Sequence, residues 1–494
     1  MNRLPFLLLL PLAILTTSGC QRRADDLPVV VSAIGDNADP ADPDRGTIDF
    51  PSRLVMASIA QGLLRFDAAG QIEPGLAERW IMIDEGQSYI FRLREAYWSD
   101  GSPVTAQSVA RVLNRAIHPE SRNPLAPYLS SVEEVVAMTP EVVEIRLKRP
   151  RPDLLRLFAA PELGIFDPGS LRGSGPFRLE PRRGPLRHLR PVPNAPTEPT
   201  ETEGAPSPDE EAVDLIAERA ARALARFQDK KSDLILGGTY LDWPVLQVSG
   251  VDGALQHLDP AQGLFGLAIV GRDGFLSDAA NRRALSMAID RDTLLDRFRQ
   301  GWTADLAILP QQDDSGSAPT LPDWAGMSLP ERQAEARQQI AAWAAAQEEE
   351  EEQAIAPLRI ALPDAPGANL LWRGLRDSLR AVGLAAQRVP ADADADLRVI
   401  DAVAPARNAR WYLRTACRSC SEATMDLLQT ARTAPDMAGR ARSIAEADAA
   451  IAAEVPYIPL ARPLRWSVVG PRLDAWQANL LAWHPLNHLR GDPR

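Results

Sequence analysis

The amino-acid sequence predicts a mixed α/β protein with more than one domain. Its 494 residues exceed the size of one ordinary domain. Hydrophobic residues make up 45% and charged residues 24%, a balance typical of soluble proteins with a sizeable core. Segments with the apolar spacing of strands are interleaved with segments that have the spacing of helices. This order favours α/β or mixed α+β packing.

The strand predictions rest on β-branched runs and on alternation. Residues 28–31 contain three consecutive valines, which predict the start of a buried strand. Residues 88–93 and 141–147 alternate in the way typical of half-buried strands. Residues 358–362 predict a short strand. Because a helix and a second strand at 384–389 follow it, this stretch predicts a βαβ-like unit.

The helix predictions rest on apolar spacing and on end signals. Helical spacing predicts a helix over residues 53–64 and another, in two pieces, over 278–299. Thr105 is a suitable N-cap for the apolar stripe that follows it. A helix over residues 369–382 is predicted to end at Gly383.

The first twenty residues predict export. Residues 1–19 combine Arg3, a short apolar stretch and small residues, the pattern of a secretory signal peptide rather than of a membrane span. Cys20 directly follows Ser18 and Gly19, which resembles a bacterial lipoprotein box with Cys20 as the lipidated residue. The alternative is ordinary signal cleavage nearby.

The other two cysteines lie close together in the sequence. Cys417 and Cys420 are separated by two residues, and in an exported protein such a pair most often forms a disulfide. Free thiols are the second interpretation. A metal or redox site is a distant third, because no βαβ context and no further metal ligands accompany the pair.

Composition and motifs argue against several classes of function. The formal net charge of -12 argues against nucleic acid as a partner, since phosphate binding requires a basic face. His484 and His488 are four residues apart, but Pro485 lies between them, so no metal site is predicted. No nucleophile elbow, phosphate loop or dinucleotide fingerprint occurs in a suitable context. We therefore predict no enzyme activity, no cofactor and no metal.

Eight segments, in consistent order and spacing, resemble one known family. One of them, residues 98–106, reads Trp-Ser-Asp-Gly-Ser-Pro-Val-Thr-Ala; another, residues 281–291, ends in Ile-Asp-Arg. Together they resemble the bacterial extracellular solute-binding proteins of family 5, the peptide- and nickel-type binding proteins of ABC importers. The eight segments are residues 61–67, 72–80, 89–94, 98–106, 173–177, 231–233, 281–291 and 454–460.

The resemblance implies a two-lobed periplasmic-binding-protein fold of type II with an extra domain on the first lobe. The lobes of such proteins close on their ligand like a hinge. Lobe I is expected to comprise residues 20–60, 172–270 and 462–494. Residues 191–211, rich in Pro, Thr and Glu, are expected to form a flexible insertion in it. The extra domain is expected at 61–171 and lobe II at 271–461.

The resemblance also places a ligand cleft on three segments. A peptide ligand needs a carboxylate for its ammonium group and an arginine for its carboxylate. A Trp-x-x-Asp segment whose aspartate takes the peptide N-terminus in the family is absent here, and Asp401 is the substitute. The residues expected to bind ligand are Gly35, Asp36 and Asn37; Gly238, Thr239 and Tyr240; and Asp401, Arg410, Trp411 and Arg414.

The function that follows from the resemblance is that of a substrate-binding lipoprotein of an ABC importer. It would capture a peptide or a similar small polar solute and deliver it to the permease subunits. It is expected to be a periplasmic monomer held at the membrane by its lipid anchor alone. A homologue for a non-peptide cargo, such as a metal chelate or an opine, or a ligand sensor, is the alternative. A secreted hydrolase is the third hypothesis.

Overall fold

A computed structural model describes residues 27–182, 184–192, 211–311, 316–349 and 355–490. The predicted signal peptide at 1–19, the predicted lipidation site Cys20 and nearly all of the predicted insertion at 191–211 lie outside the described residues. Within the described ranges, no helix is long and apolar enough to cross a membrane.

The α-helices of the described residues are α1 Phe50–Ile59, α2 Ala106–Ala116, α3 Ala220–Gln228, α4 Trp243–Val248, α5 Ala279–Ala288, α6 Arg291–Asp296, α7 Leu329–Glu349, α8 Pro366–Ala381, α9 Ala409–Ala416, α10 Glu422–Thr433 and α11 Met437–Glu454.

The strands in the same ranges are β1 Val29–Ile34, β2 Leu64–Phe66, β3 Ile72–Pro74, β4 Ala77–Ile83, β5 Ser88–Leu93, β6 Val132–Thr139, β7 Val142–Leu147, β8 Phe166–Asp167, β9 Arg172–Gly173, β10 Phe177–Leu179, β11 Arg187–Pro191, β12 Val213–Glu218, β13 Leu234–Thr239, β14 Gln256–Leu258, β15 Gly263–Ile269, β16 Leu358–Ala361, β17 Ala386–Val389, β18 Leu397–Val403, β19 Tyr457–Ala461 and β20 Arg465–Val469.

The strand that follows the N-terminal segment lies at the centre of the first large sheet. Across the described residues this sheet has seven strands in the order β10-β11-β12-β1-β13-β20-β14. β1 runs parallel to both of its neighbours, β12 and β13. Its valines are buried, as expected for a parallel strand covered on both faces. The strand predicted from residues 28–31 is confirmed.

The second large sheet contains the predicted βαβ-like unit. In the described part of the chain it has five strands in the order β17-β16-β18-β15-β19. β16 and β17 are parallel and α8 connects them, and Gly383 after α8 has a φ of +89°. This confirms the predicted strand, helix, glycine and strand.

Strand β15 differs from the predicted domain division. Residues 263–269 were expected in lobe I, whereas β15 pairs with β18 and β19 in the second sheet. All seven of its residues are buried, so both faces of this strand are covered. Such a strand carries no local signal of which sheet it joins. We therefore place β15 in lobe II and keep the three-part division as a proposal.

The third sheet belongs to the expected extra domain. Among the described residues it has four antiparallel strands in the order β4-β5-β7-β6. In β5, Tyr89 and Phe91 are fully buried, which confirms the predicted half-buried strand. Thr105 caps α2 and forms a capping box with Ser108, so the predicted N-cap is also confirmed.

Helix α1 begins and ends earlier than predicted. The predicted helix covered residues 53–64, whereas α1 ends at Ile59 and Leu64 begins β2. The prediction was wrong at both ends, because Asp49 caps the helix three residues earlier and Ala60 has extended backbone angles. The end of α1 therefore lies at the junction between the first sheet and the extra domain.

The chain passes between the two large sheets at two connections within the described residues. One connects β14 to β15 and the other connects β19 to β20. β14 and β20 are paired in the first sheet, and β15 and β19 are paired in the second. Both connections therefore lie side by side, which is the arrangement of a hinge between two lobes.

Candidate functional site

The loop after β1 is held in place by the start of α1. The backbone N–H groups of Asp36 and Asn37 donate to Oδ2 of Asp49 at 2.9 and 3.0 Å. Oδ1 of the same carboxylate accepts from the N–H of Phe50 and so caps α1. The side chains of Asp36 and Asn37 are exposed. This predicted binding loop therefore has a fixed backbone and two polar side chains in solvent.

The segment of Gly238, Thr239 and Tyr240 lies at the hinge. The indole Nε1–H of Trp466 donates to the carbonyl oxygen of Thr239 at 2.9 Å, and its ring covers Gly238. The Tyr240 ring lies 4.9 Å from that of Phe265, measured between ring centroids. Since Phe265 belongs to β15, this contact joins the two lobes. Tyr240 is only 2% exposed, so its ring packs in the hinge core.

Asp401 also lies at the hinge, and it already has a counter-charge. Its Oδ1 accepts from Nη1 of Arg465 at 2.8 Å. Burial raises the pKa of Asp401, and the Arg465 charge opposes that rise. An incoming ligand ammonium would have to compete with Arg465 for this carboxylate. Asp401 lies close enough to Tyr240 to help raise the pKa of that phenol, but it is engaged by Arg465 inside the protein.

Asp242 is a second carboxylate near the hinge that the sequence analysis did not single out. It directly follows the Tyr240–Leu241 pair and precedes α4. Burial raises its pKa to about 6. Among the described residues, no arginine, lysine or histidine lies within ion-pair distance of it. The sequence carried no signal for this feature, because a single Asp before a short helix is also typical of an ordinary cap.

The third predicted group lies on α9, where lobe II faces the extra domain. Arg410 is 7% exposed, its Nη1–H donates to the Pro127 carbonyl oxygen at 3.3 Å, and its guanidinium lies over the Tyr128 ring. Asn408 Nδ2–H donates to Asp153 Oδ2 at 3.0 Å. We call this contact between residues 127–154 and 408–440 the interlobe seam. Arg410 therefore bridges domains.

Trp411 and Arg414 have different surroundings from Arg410. The Trp411 ring packs edge-on against Tyr412 at a centroid distance of 5.0 Å and is buried in lobe II. Arg414 is exposed. Burial raises the pKa of Tyr128, and the positive charges of Arg410 and Arg414 oppose that rise. The three predicted residues of α9 therefore lie in different places: Arg410 at the interlobe seam, Trp411 in the core of lobe II and Arg414 in solvent.

A disulfide joins Cys417 and Cys420, whose Cα atoms are 5.3 Å apart. It lies in the connection from α9 to α10, beside the predicted ligand residues of α9.

The two histidines near the C-terminus, His484 and His488, each contact an acidic side chain. His484 lies 3.1 Å from Asp259 and against the Trp476 ring, while His488 lies 2.8 Å from Glu73. Across the described residues, no group of three or more His, Cys, Asp or Glu side chains is placed to hold a metal ion.

Curated relatives match parts of the chain. The probable deoxycholate-binding periplasmic protein YgiS of Escherichia coli is 30% identical over 156 residues, which are 28% of this chain and 29% of YgiS. The periplasmic oligopeptide-binding protein OppA of Escherichia coli is 24% identical over 324 residues, 59% of this chain and 58% of OppA. The matched part thus spans less than two thirds of the length of either relative.

Solved structures match nearly the whole chain. Haemophilus influenzae OppA in complex with the peptide RPPGFSPFR has a TM-score of 0.75 at 17% identity, covering 94% of this chain and 97% of that one. The murein tripeptide binding protein MppA of Escherichia coli has a TM-score of 0.74 at 18% identity, covering 94% and 97%. The unliganded open form of MppA, with coverages of 94% and 96%, has a TM-score of only 0.64.

The two-lobed periplasmic-binding-protein fold expected from the sequence is confirmed by this similarity to OppA-type structures. The family is confirmed by a match of residues 71–401, about two thirds of the chain, to the description "Bacterial extracellular solute-binding proteins, family 5 Middle". The chain belongs to the bacterial extracellular solute-binding proteins of family 5.

Proposed function

We propose that this protein is the substrate-binding component of an ABC importer. It captures a peptide or a similar small polar solute between its lobes and delivers it to the permease. The observation that carries this proposal is the hinge: two neighbouring connections join two large sheets. A hinge of this kind allows the lobes to close on a ligand, and the closed form is what an importer can recognise.

The ligand charges have candidate partners on both sides of the hinge. Asp242, with its pKa raised to about 6 by burial, becomes more favourably ionised when a cation is placed beside it. We therefore assign the ligand ammonium to Asp242 in preference to Asp401, which is paired with Arg465. The exposed Arg414 is the candidate partner of a ligand carboxylate.

A non-peptide cargo is the second candidate. It is favoured by the pairing of Asp401 with Arg465, which occupies the substitute for the family's ammonium-binding aspartate. One relative is named as deoxycholate-binding, and deoxycholate carries a carboxylate but no ammonium group. A ligand of that chemistry would use Arg414 and would not need Asp242.

Export and anchoring complete the proposal. Residues 1–19 direct the chain to the periplasm, and acylated Cys20 holds a monomer at the membrane surface. Mass spectrometry of the N-terminal peptide from membranes should find diacylglycerol on Cys20. In the Cys20→Ala variant the protein should leave the membrane fraction. An unmodified Cys20 would leave only the alternative of ordinary signal cleavage.

Thermal unfolding of residues 21–494 tests the cargo class. The protein is heated with short peptides, amino-acid derivatives, bile acids and metal chelates. A ligand at a hundredfold excess over its Kd should stabilise the folded protein by about 2.7 kcal/mol and raise Tm. Stabilisation by peptides alone supports the first candidate, and stabilisation by an anionic non-peptide supports the second. Peptide cleavage detected by mass spectrometry would instead support the hydrolase hypothesis.

Matched variants then test the assigned residues. Asp242→Asn should weaken binding of a peptide with a free N-terminus at least tenfold, whereas an N-acetylated peptide should bind both proteins equally. Asp392→Asn, an exposed aspartate outside the three predicted binding segments, is the matched control. The assignment of Asp242 would be refuted if Asp242→Asn bound each of the two peptides as tightly as the unchanged protein does.

A further inference from the structure

Lobe II contains a pocket that is formed by its own residues alone. Its volume is about 380 Å³, which lies in the range of small-molecule binding sites. It is bounded by α5, α11, β19 and the segment that connects α6 to α7. Every described residue that lines it falls between 283 and 459, inside the range expected for lobe II. We call it the lobe II pocket.

The walls of the lobe II pocket are mainly apolar. Ile451 and Ala452 lie three and four residues after Asp448 on α11, so all three share one face of this helix. Ile308 and Trp324 contribute from the segment between α6 and α7, and their side chains are buried. Walls of this composition favour a ligand with an apolar body.

Asp448 is a buried carboxylate in this apolar pocket. The residue is 2% exposed, and its Oδ2 accepts from the backbone N–H of Thr320 at 2.7 Å. Burial raises the pKa of Asp448, and hydrogen bonds from Thr320 oppose that rise. Among the described residues, no arginine, lysine or histidine lies within ion-pair distance of it. A carboxylate buried without an opposite charge is costly, so a cation would be stabilised beside it.

The other charged groups that line the pocket are engaged elsewhere. Arg283 pairs with Asp323 at 2.8 Å. Arg291 is positively charged, but its Nε–H donates to the carbonyl oxygen of Pro459 at 2.8 Å. Within the described chain, no arginine contributes to the pKa of Asp448, so neither of these cations neutralises that carboxylate. Asp448 is therefore the group to which a ligand charge would be directed.

We propose that the lobe II pocket binds a small primary amine with an apolar body, whose ammonium group pairs with Asp448. An ammonium donates charge-assisted hydrogen bonds to a carboxylate, and the apolar body packs against Ile308 and Ile451. Leu321, which is 57% exposed, lies at the rim, so the pocket is accessible from solvent. This inference does not rest on the proposed function, because every group that it uses belongs to one lobe.

The probe is 2-phenylethylamine, which is protonated at neutral pH and joins an ammonium group to an apolar ring. Isothermal titration calorimetry with residues 21–494 should show saturable binding with a Kd of about 1 mM or lower. Two isosteres, the neutral 2-phenylethanol and the anionic 3-phenylpropionate, should bind about tenfold more weakly or not at all. No saturable binding of the amine at that strength would overturn the proposal, as would equal binding of the alcohol.

Asp448→Asn removes the charge but keeps an oxygen that accepts from the N–H of Thr320. This variant should bind the amine about tenfold more weakly, as expected for the loss of a charge-assisted hydrogen bond. Asp426→Asn, which changes an exposed aspartate of α10 outside the pocket, is the matched control. Unchanged affinity of Asp448→Asn would contradict the proposal. Loss of binding in Asp242→Asn instead would also overturn it, since the amine would then lie at the hinge.

A second variant covers the case in which Asp448→Asn does not fold, as judged by circular dichroism. Ala452 lines the pocket but is only half-buried, so Ala452→Phe should fold and should occupy volume that the amine needs. Its control is Ala438→Phe, at an exposed position of the same helix outside the pocket. Amine binding retained by Ala452→Phe would refute this site.

The same measurements separate this inference from the proposed function. Amine binding that depends on Asp448, with no cargo identified, would uphold the inference while the proposed function fails. Cargo binding that depends on the hinge, with no amine binding, would do the reverse.

Discussion

Arg465 and Asp401 join the two lobes at the hinge. Nη1 of Arg465 donates to Oδ1 of Asp401 at 2.8 Å, and its Nη2 donates to the Asp401 carbonyl oxygen at 3.3 Å. Arg465 begins β20 in the first sheet, and Asp401 lies in β18 of the second. Both side chains are largely buried. This charge pair therefore connects the two sheets at the place where the chain crosses between them.

Removal of one partner of this pair should destabilise the protein. Asp401→Ala leaves the Arg465 charge buried without its partner, which should lower the free energy of unfolding by about 3 kcal/mol. Chemical denaturation measures the loss. The double variant Asp401→Ala/Arg465→Met should lose less than the sum of the two single variants. Asp229→Asn, in an exposed pair with Lys231, is the control and should change stability by less than about 0.5 kcal/mol. A similarly small effect of Asp401→Ala would contradict the role of the pair.

Gly238 should not tolerate a side chain. A Cβ at this position would lie 2.1 Å from the Trp466 ring, which is itself fixed by its hydrogen bond to Thr239. Gly238→Ala should therefore lower the free energy of unfolding by about 2 kcal/mol, as overpacked sites do. Gly326→Ala is the matched control, because a Cβ there would have no atom within 4 Å. Equal thermal unfolding midpoints for the two variants would show that the ring moves aside without cost.

Glu454 should make stability depend on acid pH. Burial alone would raise its pKa, but hydrogen bonds from Ser421 and Thr424, and the nearby Arg272, lower the pKa from 4.5 to about 2. Because the folded-state pKa is lowered, the ionised carboxylate stabilises the fold above the unfolded pKa of 4.5. That stabilisation is lost as the pH falls toward 2.

Comparison of Glu454→Gln with the unchanged protein tests this dependence. The substitution should cost about 1 kcal/mol at neutral pH, a value reduced for solvent screening of a partly exposed group. Urea denaturation from neutral pH down to the acid range should show that difference shrinking below the unfolded pKa. Glu120→Gln, at an exposed position, should show no such trend. A difference that stays constant with pH would exclude Glu454 as the source.

The disulfide between Cys417 and Cys420 should leave no reactive thiol in the chain from residue 21 onwards. Ellman's reagent should detect no thiol in the denatured protein until a reductant is added, after which both cysteines should react. Cys417→Ser provides the control, since it leaves Cys420 as a single titratable thiol. A full thiol signal without reductant would favour the free-thiol interpretation of this pair.

Local features were predictable from the sequence because neighbouring residues cause them. The alternation in β5, the Thr105 cap of α2 and the glycine after α8 each depend on residues a few positions apart. The same local signals, in their order along the chain, indicated the family. They failed at the ends of α1 and for β15, where packing against distant segments determines the outcome.

The sequence by itself determined the classes of element, the family and hence the two-lobed architecture of this protein. Only the tertiary structure decided which charges meet. Arg465 neutralises Asp401 across 64 residues of sequence, and Arg151 reaches the carbonyl of Arg432 across 281 residues. Asp242 is half-buried and has no ion-pair partner among the described residues. Burial and pairing are properties of surfaces brought together in folding, so periodicity and spacing along the chain carry no record of them.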